Sequence, residues 1–262
     1  MIQIILCYNM ELSINVFIIV CPLVFLAGLV DSIAGGGGLI SLPAYLMAGI
    51  SPQFALGTNK LSSIAGTLIA SLRYYKNKYV DIILCFPAIV AALAGSALGS
   101  SFALLVNEQI LRWILLIVIP LTAFYVFKRK NLDNDSSHLS RVRTIIYSGI
   151  ISFFIGGYDG FSGPGTGTFL ILLYNGIAKI DSRIASGNAK WVNLASNLSA
   201  LVLFLINGRV LIPLGLCAAL FNMLGAYIGS GLVIHKGNKI IRSTIFIVLL
   251  LIFMKLVWDM IR

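Results

Sequence analysis

GLVDSIAGGGGLISLPAYLMAG (Gly28–Gly49) sets four successive glycines inside an otherwise apolar run, and the reading of this stretch decides the fold. GGYDGFSGPGTGTFLILLYNG (Gly156–Gly176) says the same thing roughly half the chain later. Overlaid, Gly28 meets Gly156, Asp31 meets Asp159, Gly35 meets Gly163 and Gly37 meets Gly165. A continuous helix through Gly35–Gly38 would lose about 1 kcal/mol per glycine relative to alanine. Non-helical backbone at membrane depth is tolerated only where it is buried in protein or lines a cavity. Each block is therefore expected to be unwound and to open a short half-helix. The echo continues outward: GTNK (Gly57–Lys60) meets GNAK (Gly187–Lys190), and ALAGSALGSS (Ala92–Ser101) meets NMLGAYIGSG (Asn222–Gly231).

The surrounding composition says what medium the breaks sit in. Of 262 residues, 59% are hydrophobic and 11% charged, whereas soluble domains hold about half apolar residues. The expectation is an all-α integral membrane protein. It has room for eight transmembrane helices of about 20 residues, plus two short broken or re-entrant half-helices, in two homologous repeats. Spanning stretches lie near 13–34, 53–75, 80–102, 109–128, 143–161, 182–206, 210–234 and 241–260. The shorter apolar pieces, near 38–49 and 166–178, cannot cross a core of about 30 Å as straight helices. The chain divides into an N-terminal extension (1–12), a first repeat (13–128), a cytoplasmic linker (129–141) and a second repeat (142–262). Residues 1–12 lack the basic start and small-residue cleavage site of a signal peptide.

Charge fixes the orientation and removes one function class. The net charge of +10 sits mainly in short loops: Lys76–Lys78, Lys128–Lys130, Arg141 with Arg143, and His235–Lys239. The positive-inside rule accounts for loops of this kind, which leaves no case for nucleic-acid binding. If the linker is cytoplasmic, the basic loop near 235–242 joins it only when 166–178 counts as a crossing, so the two repeats run in opposite senses. Cys7, Cys21, Cys85 and Cys217 form no C-x-x-C pair and read as small buried hydrophobes. His138 and His235 lie in hydrophilic loops. No metal or cofactor is expected.

The residues that could carry chemistry follow the duplication. Lys60 and Lys190 each follow a short loop and begin a long helix whose polar residues recur at helical spacing: Asn59, Lys60, Ser63 and Thr67 in one, Lys190, Asn193 and Asn197 in the other. One reading makes the lysines snorkel to an interface and the polar groups glue helices together. The other is an anion site, with ammonium groups and amide donors at helix N-termini. Duplication of the whole stripe favours the second. Candidate substrate contacts are then Asn59, Lys60 and Ser63 from one stripe and Asn188, Lys190, Asn193 and Asn197 from the other. The glycine blocks contribute Gly35, Gly36, Gly37 and Gly38, and Gly163, Gly165 and Gly167. They read either as tight packing or a hinge, or as backbone offering N–H groups to an anion. They do not match a nucleotide-binding loop, since GGGGLI lacks the G-K-[ST] ending.

Asp31 and Asp159 are the acids well inside apolar stretches, and an intramembrane carboxylate is a functional candidate by default. Each could carry a coupling proton, which requires distance from both lysines, because a nearby ammonium holds a carboxylate ionised. Each could instead cap the half-helix that follows, the reading placed slightly ahead. Gly95/Gly99 and Gly225/Gly229 form G-x-x-x-G pairs that bring helices together within a protomer or across a homodimer.

At these residues the chain resembles the sulfite exporter TauE/SafE family, also called the 4-toluene sulfonate uptake permease family. The carrying motifs are GGGGLISLP (Gly35–Pro43), GTNK with its polar helix, and their echoes GPGTG (Gly163–Gly167) and GNAK, in a likeness running from about residue 14 to 261. Pro164 and Thr166 interrupt the second glycine block, a departure from the polyglycine form. The resemblance implies a multi-pass protein of the bacterial inner membrane that moves small sulfur-containing anions, such as sulfite or sulfonates, without nucleotide hydrolysis. A duplicated hydrophobic chain with matching broken segments is independently the mark of a secondary transporter. Two alternatives remain: a permease subunit driven by a partner ATPase, for which the linker is the one docking surface, and a membrane-embedded enzyme, which would need a nucleophile, metal cluster or acid–base pair.

Overall fold

The structure is a computed structural model that describes residues 13–111, 113, 114, 117 and 139–236. In chain order the helices are α1 (Ile14–Ala34), α2 (Gly38–Met47), α3 (Pro52–Lys76), α4 (Ile82–Leu105), α5 (Arg141–Phe161), α6 (Thr166–Gly176), α7 (Ser182–Ile206) and α8 (Ile212–Lys236). No strand occurs among the described residues. Each helix falls on an expected apolar stretch. The spans expected near 109–128 and 241–260, and the linker, lie wholly or largely outside the described residues.

Among the described residues, four helices are long and apolar enough to cross a membrane: α1, α4, α7 and α8 up to His235. The polar stripe explains why α3 is not among them, although it is 25 residues long. With ten and eleven residues, α2 and α6 reach only about 15 Å at 1.5 Å per residue, half the hydrocarbon thickness. The exterior carries large apolar side chains such as Phe86, Leu98, Phe154 and Leu224, each at least 60% exposed. Buried polar and charged groups gather instead on the inside, among them Lys60, Lys190, Asp159, Asn193 and Asn197. That inversion suits lipid as solvent.

Both glycine blocks break the chain where the sequence reading places them. α1 ends at Gly35, whose φ of 79° is left-handed, and α6 starts after Gly165, also at 79°. Left-handed backbone is what glycine alone adopts freely. The two breaks touch. The Thr168 N–H donates to the Gly35 carbonyl at 3.2 Å, and Thr168 Oγ1 donates to the Ala34 carbonyl at 2.7 Å. Two apolar clusters flank this junction. One is built around α6, with Leu170, Ile171, Tyr174 and Val192; the other is built around α2, with Leu39, Leu42, Tyr45 and Phe204.

The most extensive helix contacts all join residues 13–111 to residues 139–236: α4 on α5, α1 on α8, α3 on α8, α4 on α7 and α3 on α7. Glycines make these approaches possible. A Cβ on Gly95 or Gly99 would overlap the Phe153 or Gly157 carbonyl of α5, and one on Gly225 or Gly229 would overlap Phe25 or Leu29 of α1. These G-x-x-x-G pairs are thus occupied within the chain. Cys21 and Cys217 approach to 3.6 Å between sulfurs across the α1–α8 contact and remain free thiols.

Candidate functional site

Lys60 and Lys190 lie inside helices, not at their starts. Each stands eight residues beyond the first residue of its helix, Pro52 or Ser182, more than two turns in. The expectation of ammonium groups at helix N-termini is corrected here. Gly57 and Gly187, which suggested a loop, serve close packing: a Cβ on either would overlap the Arg209 or Tyr79 carbonyl. The helix ends that face the site belong instead to α2 and α6, whose first turns leave N–H groups without intrahelical partners.

Each lysine reaches across to the aspartate of the other stretch. Lys60 Nζ lies 2.8 Å from Asp159 Oδ2 and donates to the Asp159 carbonyl at 2.6 Å. Lys190 Nζ lies 3.0 Å from Asp31 Oδ2 and also donates to the Asp31 carbonyl. Unpaired ions at this depth would be costly, so each ion makes its partner tolerable. The separation from both lysines that a proton carrier requires is not found. Capping is found in part: the Gly37 N–H donates to Asp31 Oδ1 at 3.3 Å. Asp159 accepts side-chain hydroxyls instead, from Thr166 at 2.8 Å and from Ser196 at 2.7 Å.

The same crossing repeats two residues earlier in each helix. Thr58 Oγ1 accepts from the Leu211 N–H at 3.0 Å, and Asn188 Oδ1 accepts from the Asp81 N–H at 3.0 Å. Thr58 and Asn188 stand at matching places in GTNK and GNAK, and Leu211 and Asp81 each immediately precede a helix, α8 and α4. Losing either acceptor strands a backbone donor, which costs about 1–3 kcal/mol. Thr58→Val and Asn188→Ala should each lower the thermal unfolding midpoint of detergent-purified protein, measured by scanning fluorimetry, to a similar extent. A midpoint unchanged in both would show that water reaches these donors.

Between the two ion pairs lies a polar cavity of about 20 Å³, room for roughly one water. Its walls include Asp31, Gly35, Gly37 and Gly38 from the first break, and Gly163, Thr166 and Gly167 from the second. The stripes add Asn59, Lys60 and Ser63 from α3 and Asn193 and Asn197 from α7. Most candidate residues are thus brought together. Gly36, Gly165, Asn188 and Lys190 do not line the cavity; Asn188 spends its oxygen on Asp81, and Lys190 sits behind Asp31. Ser41, Thr166 and Asn222 line it without having been singled out. Asn222 is the one visible in hindsight, a lone amide in the apolar run of α8, fitted against Gly66.

The arrangement offers an oxyanion one directly facing ammonium, several amide groups and the N-terminal ends of two half-helices, in a site whose formal charges cancel. The model of the sulfite exporter TauE/SafE family matches residues 20–256. The chain is 37% identical over 235 residues to Probable membrane transporter protein ORF9 of a Sinorhizobium species, covering 90% of each. It is 34% identical over 251 residues to a Probable membrane transporter protein of Haemophilus influenzae, covering 95% of this chain and 98% of that one. To Probable membrane transporter protein YfcA of Escherichia coli K12 it is 35% identical over 234 residues, 89% of this chain and 87% of the relative. No solved structure matches. With likeness over nearly the whole length, and apolar helices that make it a multi-pass protein of the cell membrane, the chain belongs to the sulfite exporter TauE/SafE family of membrane transporters.

Proposed function

We propose that this chain is a secondary transporter for small anions of the sulfur-oxyanion and sulfonate class, built as two inverted repeats of four spans and one half-helix each. The reciprocal ion pairing carries the proposal. Lys60 meets Asp159 and Lys190 meets Asp31, so each repeat lends its cation to the other's break. In transporters of this type the substrate binds at the repeat interface, where half-helix N-termini face an anionic group. The crossed bonds of Thr58 and Asn188 support the same two-fold relation between the repeats. So do Gly28 and Gly156, which approach the carbonyls of Asn222 and Ala92, a matched pair in the repeat alignment.

The substrate class rests on the family description and on the donor chemistry together. A compact oxyanion accepts several short hydrogen bonds from N–H groups and an ammonium, and the cavity walls are donor-rich and small. Purified protein reconstituted alone in lipid vesicles should accumulate labelled sulfite or an alkyl sulfonate under an imposed ion gradient, without ATP. Transport that appears only with ATP and an added soluble fraction would favour a partner-driven permease. Chemical conversion of the solute without net movement would favour an enzyme.

A further inference from the structure

We infer that Asp31 is the internal anion that a substrate displaces from Lys190, while Asp159 stays fixed on Lys60 as a structural counter-ion; this rests on the anion-transporter reading above. The two pairs share a plan but not an environment. Asp159 is held from three directions, by Lys60 and by the Thr166 and Ser196 hydroxyls, and its side chain is 3% exposed. Asp31 has Lys190 and a longer bond from the Gly37 N–H, and its side chain is 18% exposed.

Their positions relative to the cavity differ in the same sense. Lys60, Asp159 and Asp31 all line the cavity, whereas Lys190 does not; Asp31, its ion-pair partner, stands between it and the cavity. One cation is therefore presented and the other masked. As it stands the site is formally neutral, two ammonium groups against two carboxylates, and holds about 20 Å³ of free space. A sulfur oxyanion needs both more room and a net positive partner. Withdrawal of the Asp31 carboxylate supplies both at once: it vacates the space it fills beside the cavity and leaves the Lys190 ammonium without its counter-ion. Asp31 lies in the last turn of α1, next to the left-handed Gly35, where a small movement of the helix end shifts the carboxylate.

The experiment measures sulfite affinity of the full-length protein in detergent by calorimetry, alongside sulfite uptake into vesicles. Asp31→Asn keeps the shape and removes the competing charge, so sulfite should bind roughly tenfold or more tightly than to wild type, as expected for losing a like charge a few ångströms away. Uptake should slow, because the resting pair cannot re-form to expel the anion. The gain should vanish in Asp31→Asn/Lys190→Gln, which removes the unmasked ammonium. An Asp31→Asn protein that binds sulfite equally or less tightly, with wild type transporting normally, overturns the inference and leaves the transporter reading standing. If Asp31→Asn does not fold, Lys190→Gln decides: it leaves an unpaired carboxylate at the cavity and should weaken sulfite at least roughly tenfold, and unchanged affinity overturns the inference. A wild type that neither binds nor moves sulfite or an alkyl sulfonate brings down the underlying substrate reading instead.

Discussion

Lys60→Met should cost about 3–5 kcal/mol of stability, the range seen when one partner of a buried ion pair is removed. Methionine keeps most of the lysine's apolar stem and its packing, so the loss isolates the charge. What remains is the Asp159 carboxylate at 3% exposure, with two hydroxyl donors and no cation, beside a cavity whose roughly one water is a weak substitute for the ammonium. Detergent-purified Lys60→Met should show a sharply lower thermal midpoint and a smaller monodisperse fraction on gel filtration. Lys60→Met/Asp159→Asn removes both charges and should recover most of the lost stability while staying inactive in vesicle uptake. That contrast separates the fold from the function: the pair is needed together for folding, and the cation is needed singly for the anion. Lys190→Met should be milder, because Asp31 can turn its charge toward the cavity and any water there. A Lys60→Met protein as stable as wild type would mean that Asp159 is not held as a dry, charged group.

The crossed pairing was only half legible in the sequence. The repeat alignment matched Lys60 with Lys190 and Asp31 with Asp159, and it located both breaks and the cavity-lining residues of the stripes. It could not say which aspartate serves which lysine. Partners 99 and 159 residues apart are joined by how the two repeats interlock, and an alignment of one repeat on the other carries no information about their docking. The position of the lysines within their helices is hidden in the sequence for a related reason. Glycine marks a loop when it supplies unusual backbone and marks a helix when it lets another backbone come close. Gly57 and Gly187 are of the second kind, which appears only once the Arg209 and Tyr79 carbonyls are in place. Asn188 illustrates the same limit: an amide beside a site lysine looks like a ligand, yet its oxygen is committed to the start of α4.

Gly35→Ala should leave little or no folded protein, an effect at least as large as the loss of the Lys60 charge. Two costs coincide at this position. The backbone sits at φ 79°, a region alanine enters only with strain, and the new methyl would overlap the Gly167 carbonyl carbon and the Thr168 nitrogen. Neither obstacle is a side chain that can rotate away; both are the backbone of the opposing break. Gly167→Ala tests the contact without the strain, since Gly167 lies in the first turn of α6 and its added Cβ would stand 2.6 Å from the Gly35 Cα. Relief in either variant requires moving α1 and α6 apart. That movement opens the bonds from Thr168 to Gly35 and Ala34, which satisfy carbonyls that lipid cannot. Gly149→Ala is the control: it sits mid-helix in α5 with nothing within 4 Å of the added methyl, so it should be neutral or stabilising by up to about 1 kcal/mol. Membrane-inserted yield and thermal midpoint, compared across the three, should rank Gly149→Ala at or above wild type, Gly167→Ala well below it and Gly35→Ala lowest. Equal tolerance at Gly35 and Gly149 would mean that the two breaks do not meet. The cavity between them would then lack its floor, and the reading of both half-helices as one site would fall with it.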